Sequence, residues 1–593
     1  MPKNLFGQSV NTRGEILGCS ACPLDKAPGI VKIKGLERVK EQRAFIWAMC
    51  PGEDENKQKL ELVGRSGELL WRTLGKQGLS RKDFAVQNVV RCRPTEDGQN
   101  RDPSKRELEC CSIYSDEALR KNRGEALVHI VLGDVAATQL IGKSYRKDQP
   151  VFWHEPWNAY VVLNWHPSYI LRKGGESAGF EYFTWRDRFR AVKAAISYPG
   201  RWGFAKAQKH TVVRTNAEFN GMEKALRESG QNASFDIEDG YVDGKHVILL
   251  AGFGVGRFLI PEDMNSWKGE SWSVVLDYPD ANRDLTRSSS LKLRVKKLLE
   301  DPEIKLTMHN GSYDVKQSLE LLGAYVRGYE FDTMYGAYLR FSFLNSCSLE
   351  NLTYRLFPEF GDYKETTEGY TNFADVPLDR LLLRNLCDCD VTKRLEELVS
   401  PKISHALIKV YIHAGITLDA MEERGPLLDW KQHEKAQSVV PEMIADLDRR
   451  LQRVCGDYEF NCSSDKQVAW FVYDFLKCEP IEGSGRSTQK KVLELLAVES
   501  EDPEIGRALG LISTTRAVKK IQSTYLDGYA RSAKQHGGEL RTHWKLTGTV
   551  TGRLSSGKGD DDVNTGLVNF QNLHSLALLQ NILVSDLRWR EAL

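Results

Sequence analysis

Six carboxylates in one stretch of the chain have the types and order of a metal site: Asp236-x-Glu238 in ASFDIEDG, Asp314 in HNGSYD, Asp332 in FDTMYGAYL, and Asp388 and Asp390 in NLCDCDVTKRLEEL. Clustered carboxylates can hold two divalent ions about 3.5–4 Å apart, one activating water and the other stabilising a leaving oxygen. Oxygen donors suit Mg²⁺ or Mn²⁺. A second set of candidate ligands is sulfur. Cys19-Ser-Ala-Cys22 is followed by Cys92 and by the pair Cys110-Cys111. Thiolates gathered from distant positions suit an iron–sulfur cluster. A zinc site or buried free thiols fit the same spacing.

These side chains need elements to hold them. Residues i and i+2 of a strand share a face, so a strand through ASFDIEDG projects Asp236 and Glu238 to one side. VILLAGFGVGRFLI supplies an apolar strand pair, IKLTMHN reads as a strand ahead of Asp314, and Asp388 and Asp390 lie at the start of a helix. LDAMEERGPLLDWKQHEKAQ has the i, i+3/i+4 apolar pattern of a helical region.

The chain has 593 residues, room for about three or four domains with their own cores. Its 82 basic and 81 acidic residues give a net charge of +1. Any nucleic-acid surface is therefore a local patch, not a global field. The sequence has no apolar run of about 18 residues, and MPKNLFGQSV does not read as a signal peptide, so a soluble, cytoplasmic chain is expected. Twelve scattered cysteines in such a chain favour reduced thiols and a metal site over a disulfide scaffold. GRWGFAKAQKH (200–210) reads as a linker, and no internal repeat is visible.

In the first segment (1–205), CSACPL, PGEDENKQKLELVGRSGELL, QNVVRCRP, NRDPSKRELECC, VLGDVAATQL and WHPSYILR occur in an order that resembles the iron–sulfur (family 4) uracil-DNA glycosylases. The resemblance implies an α/β/α domain holding a 4Fe-4S cluster on Cys19, Cys22, Cys92 and Cys111, the last preferred to Cys110. It also implies a pocket for a flipped uracil, read by Asn88, with His166 stabilising the departing base and Arg172 tracking phosphate. The other half of the pocket departs from the family pattern. Met49 stands where the motif has its first Glu, Asn56 where it has its final acid, and Leu62 where a Phe would stack on uracil. A thioether cannot orient water and Leu has no π face. The expectation is a fold and cluster with weak or absent excision.

In the second segment (206–400), the ordered set DxE, HNxxYD, FDT and DxDVT resembles the DEDD 3′–5′ exonuclease domain of family A DNA polymerases. The resemblance implies an RNase H-like α/β fold and carries over Asp236, Glu238, Asp314 and Asp388 as ligands of two Mg²⁺ or Mn²⁺ ions. Asp332 and Asp390 are read as structural. The family's third motif is YxxxD, with the Tyr orienting the attacking water; here that position is Arg384. Arg only donates hydrogen bonds, so it can bind phosphate but cannot align a nucleophile as Tyr does. Metal-dependent activity, slowed, is expected.

In the third segment (401–593), FNCSSDKQVAWFVYDFL, GSGRSTQKKVLELL and VKKIQSTYLDGYA resemble the thumb of family A DNA polymerases, and TGTVTGRLSS with NFQNL resembles the TxTGRLSS…NLQN stretch that leads into the palm. The resemblance implies a mostly helical thumb and the beginning of a palm. It also implies contacts to template–primer DNA from Arg553, Gln571 and Asn572, and phosphate contacts from Lys519 and Lys520. NILVSDLRWREAL resembles the family in either of two registers: Asp586 and Glu591 stand at its DxSxxE palm motif or, as preferred here, ILVSDLRW matches the loop before the metal-binding Asp. The expected protein is therefore the amino-terminal part of a split polymerase, partnered by a second polypeptide with the rest of the palm and the fingers. A phage origin would place it in a bacterial host's cytoplasm. The alternatives are a self-sufficient uracil-excising repair nuclease and a non-catalytic DNA-binding subunit.

Overall fold

The structure, a computed structural model, describes residues 8–26, 31–33, 43–123, 125–142, 148–260, 263–279, 285–342, 344, 346–456, 459–557, 567–569 and 583–584. It is a mixed α/β protein that divides into two compact units, Met1–Ile412 and His413–Leu593. Among the described residues the first unit contains two large sheets, each with its own helices, and a short hairpin pairing Thr95–Glu96 with Gln99–Asn100.

The first sheet comprises β1 (Ala44–Ala48), β2 (Phe84–Asn88), β3 (Val128–Leu132), β4 (Val151–His154) and β5 (Ala159–Asn164), in the order β2-β1-β3-β5-β4. All neighbours are parallel except the β4–β5 pair. AFIWA, VHIVL and AYVVLN are buried at every position, as strands covered on both faces require. One core packs beneath α1 (Arg65–Lys76), α2 (Pro167–Arg172), α3 (Phe180–Asp187) and α4 (Phe189–Ser197). The opposite core includes Leu108 and Leu119 from the 105–122 helix and Ala136 and Ala137 from the 134–141 helix. The carboxyl ends of β1, β2 and β5 deliver Met49, Asn88 and His166 to one edge. Open parallel sheets bind ligands at such an edge.

The second sheet comprises β6 (His210–Val213), β7 (Ala233–Val242), β8 (Lys245–Phe258), β9 (Trp267–Val275), β10 (Leu306–Met308) and β11 (Tyr329–Asp332), in the order β11-β10-β7-β8-β9-β6. β7, β8 and β9 form an antiparallel meander with an irregularity at Ile248/Leu250, and the flanking pairs are parallel. The helix α5 (Leu378–Val399) lies against β8. The 200–210 stretch is not a loose linker. Trp202 is buried in a core with Phe357, Phe360 and Tyr363, because an indole exposed in a tether would forfeit its large apolar burial.

The second unit is largely helical. Its longest helix, α6 (Trp430–Cys455), accommodates Pro441 in its interior. Two cores lie along it, one with Tyr525, Leu526 and Tyr529 and one with Phe471, Leu493 and Leu509. Beyond them, TGTVTGRL lies between the strands of an antiparallel pair, β12 (His543–Lys545) and β13 (Ser555–Gly557).

Candidate functional site

Alternation along β7 puts Asp236 and Glu238 on one face, and α5 brings Asp388 to them. Ligand oxygens of Asp236, Glu238 and Asp388 lie within 4.8 Å of one another. This approach requires Gly252 on β8: a Cβ there would fall 2.6 Å from both Asn385 Oδ1 and Cys389 Sγ of α5. Asn385 Nδ2 donates to Asp236 Oδ2 at 2.9 Å. Asp314 stands alongside, its Oδ1 accepting the Ile237 N–H at 3.1 Å.

Burial raises Asp236 far above the usual carboxylate range, and the charges of Asp388 and Glu238 add to it. Burial also raises Asp314 and lifts Glu238 to about 7, against the pull of Arg384. Acids crowded and desolvated in this way gain by sharing a divalent cation, so these residues fit the Mg²⁺ or Mn²⁺ their family resemblance implies. Asp332 caps the helix that follows it, accepting from the Met334 and Tyr335 N–H groups at 2.8 and 3.2 Å. Asp390 pairs with Arg394 at 3.0 Å. Arg384 is committed to the site: Nε meets Glu238 at 3.1 Å and Nη1 donates to Thr367 at 2.8 Å. Two further residues reach the carboxylates. The Tyr363 hydroxyl donates to Asp388 Oδ1 at 2.6 Å and Lys364 Nζ to Oδ2 at 2.6 Å. DYKETT carries no motif that would single them out.

A cleft of about 1120 Å³ opens at the first sheet's carboxyl edge, lined among others by Met49, Glu55, Leu62, Asn88, His166 and Arg172. Leu62 adopts φ 52°, a conformation costly for a branched residue. Its carbonyl is pinned by Trp71 Nε1 at 2.9 Å and Arg81 Nη1 at 3.3 Å. Glu55, the acid next to Asn56, accepts the Gly52 N–H at 3.0 Å, while Asn56 Oδ1 accepts from Val31 N–H at 3.3 Å. The His166 ring accepts at Nδ1 from the Ser168 N–H at 3.2 Å. Burial lowers its pKa to about 4. At neutral pH the ring is therefore uncharged, with its proton on Nε2, the tautomer able to donate to a carbonyl oxygen.

Cys92 and Cys111 are buried, and Cys19 and Cys22 partly so. Burial pushes Cys92 up to about 12, with further upward influence from the charges of Cys111, Cys19 and Cys22, and it pushes Cys111 up to about 11. Such thiols lose their protons to a metal, not to water. Leu24, Val90 and Tyr114 wall the group, and the Tyr114 hydroxyl lies 3.0 Å from Cys19 Sγ. This soft, apolar setting fits an iron–sulfur cluster. Cys110 Sγ donates to the Ala21 carbonyl at 3.3 Å.

In the second unit Arg553 is exposed, its carbonyl accepting from the Thr549 hydroxyl at 2.7 Å. Lys519 pairs with Asp448 at 2.8 Å, and Lys520 is exposed. Gln571 and Asn572 lie outside the described residues.

Residues 38–187 match the uracil DNA glycosylase superfamily and residues 431–560 match DNA polymerase family A. A type-4 uracil-DNA glycosylase of Archaeoglobus fulgidus is 32% identical over 170 residues, covering 26% of this chain and 80% of that protein. One from Thermotoga maritima is 31% identical over 159 residues, covering 26% and 78%. DNA polymerase I of Geobacillus stearothermophilus is 34% identical over 145 residues, 24% of this chain and 16% of that much longer protein. The chain thus belongs, through its first domain, to the type-4 uracil-DNA glycosylases and joins to it a segment of family A DNA polymerase.

Proposed function

We propose that the chain is a metal-dependent 3′–5′ DNA exonuclease of the DEDD, RNase H-like type, working in a replicative polymerase. The convergence of Asp236, Glu238 and Asp388 carries this reading. Two divalent ions, when bound, supply an activated water and charge neutralisation at the leaving 3′ oxygen. The protein's own part is to hold them: Asn385 orients Asp236, Tyr363 orients Asp388, and Arg384 restrains Glu238. Mn²⁺ titrated calorimetrically into the full chain should bind with two equivalents of ion in this site. Asp388→Asn should remove that heat, and equal heats from the two proteins would contradict the assignment.

In this reading the first domain is a cluster-bearing module that admits a flipped uracil between Asn88 and neutral His166 but cleaves it poorly. Arg172, on the rim, meets phosphate. The support is Met49 and Leu62 in the cleft wall, where an acid and a stacking ring are missing. Excision from a uracil-containing oligonucleotide should be slow. Met49→Glu with Leu62→Phe should raise it, and brisk excision by the unaltered chain would contradict this.

The family A segment would grip template–primer DNA through Arg553, Lys520, Gln571 and Asn572. In this reading the segment serves DNA synthesis as part of a family A polymerase. The match at residues 431–560 supports the polymerase context. Weaker binding of a primer–template duplex by Arg553→Ala than by the unaltered chain would agree, and equal binding would not.

A further inference from the structure

Residues 361–367 form a strap whose contacts alternate between the two domains of the first unit. At one end Gly361 has φ +61°, and a Cβ there would meet the Tyr160 ring at 3.0 Å. Asp362, 0% exposed at its side chain, has its carboxylate held by the Trp153 N–H at 3.1 Å, the Tyr160 hydroxyl at 3.2 Å and Arg201 at 3.4 Å. Trp202 Nε1 donates to the Asp362 carbonyl at 3.2 Å. Glu365 takes Arg201 at 2.9 Å and Gln149 at 2.8 Å. Every one of these donors precedes residue 205. A buried carboxylate is tolerable only where such partners surround it, so this anchor has one stable seat.

Between Asp362 and Glu365, the two intervening residues hold the exonuclease-like carboxylates. Tyr363 and Lys364 both reach Asp388 at 2.6 Å. The Lys364 carbonyl and the Thr367 hydroxyl accept from Arg384, which holds Glu238. The peptide that the glycosylase-like domain grips is thus the peptide that aims two of the three clustered acids.

We propose that the glycosylase-like domain has a second function: it is the positioning scaffold of the exonuclease, fixing Asp388 and Glu238 through the 361–367 strap. This rests on the exonuclease reading above. Tyr363 and Lys364 are positioning residues, acting through the carboxylates. The domain is then needed for digestion whether or not its own pocket excises uracil.

The test uses the full chain and two readouts, Mn²⁺ affinity by calorimetry and digestion of a single strand. Tyr363→Phe removes the hydrogen bond to Asp388. Tyr160→Phe and Gly361→Ala disturb only the remote anchor. Partners that orient metal ligands typically account for 10–100-fold in affinity or activity, so each variant should lose about 10-fold or more in both. Tyr160→Phe should do so with an unchanged iron–sulfur absorbance, which reports an intact first domain. If Tyr160→Phe and Gly361→Ala keep wild-type affinity and rate, the scaffold proposal is overturned, even if Tyr363→Phe is impaired. A wild-type chain that binds Mn²⁺, responds to the anchor variants and yet digests nothing would keep the strap and remove the exonuclease.

Discussion

Asp236→Ala with Glu238→Ala should abolish the proposed metal-dependent digestion while leaving the protein at least as stable as before. Both halves follow from the same geometry. The two acids supply oxygens to the cluster of Asp236, Glu238 and Asp388. Without them the site loses charge stabilisation of about 4 kcal/mol or more, roughly 1000-fold in rate. Stability moves the other way in the absence of divalent ion. Both groups have folded pKa values raised by burial and by their acidic neighbours. A carboxyl whose folded pKa is raised destabilises the fold above its unfolded pKa, near 4. Alanine removes that cost at neutral pH. Melting in EDTA checks one half and a digestion time course the other. A double variant that digests normally, or that melts far below the wild type in EDTA, would contradict the assignment.

Cys92→Ser should remove the iron–sulfur chromophore proposed for the first domain and destabilise that domain. Cys92 is buried beside Leu24, Val90 and Cys111, and burial with nearby sulfurs holds its thiol protonated up to about 12. A serine hydroxyl is a hard donor that gives up its proton less readily, so it cannot replace a thiolate on iron. Because metal ligation is coupled to folding, losing one ligand lowers the melting temperature as well as the colour. Iron and sulfide analysis with a thermal melt tests this. Unchanged iron content in Cys92→Ser would refute the ligand set, and a colourless wild type containing zinc would replace the cluster with another metal.

Local rules made part of this site legible. Asp236 and Glu238 share a face because strand periodicity is fixed, and the family resemblance of the acidic motifs singled out Asp314 and Asp388, of which Asp388 joins the group with Asp236 and Glu238. The partners of those acids were not legible. Tyr363 and Lys364 act across 25 and 24 residues, and Arg201 grips the strap from 161 residues away. No periodicity records such distances. Arg384 illustrates the same limit. Its sequence position announced a missing Tyr, but only the fold reveals that its guanidinium holds Glu238. Lys519 reads as a helix-surface cation; its neighbour Asp448 comes from another helix. The 200–210 stretch looked like a linker because Gly and Lys flank it, while one residue, Trp202, makes it core.

In its proposed function this chain shortens DNA from its 3′ end by metal-dependent chemistry at Asp236, Glu238 and Asp388. Its most direct test is the full chain incubated with a 5′-labelled single strand and Mg²⁺ or Mn²⁺, with EDTA as the control. Digestion at this site should give a ladder of labelled products, each shorter at the 3′ end, that EDTA suppresses. A strand left intact with either metal, or one degraded equally well in EDTA, would contradict it.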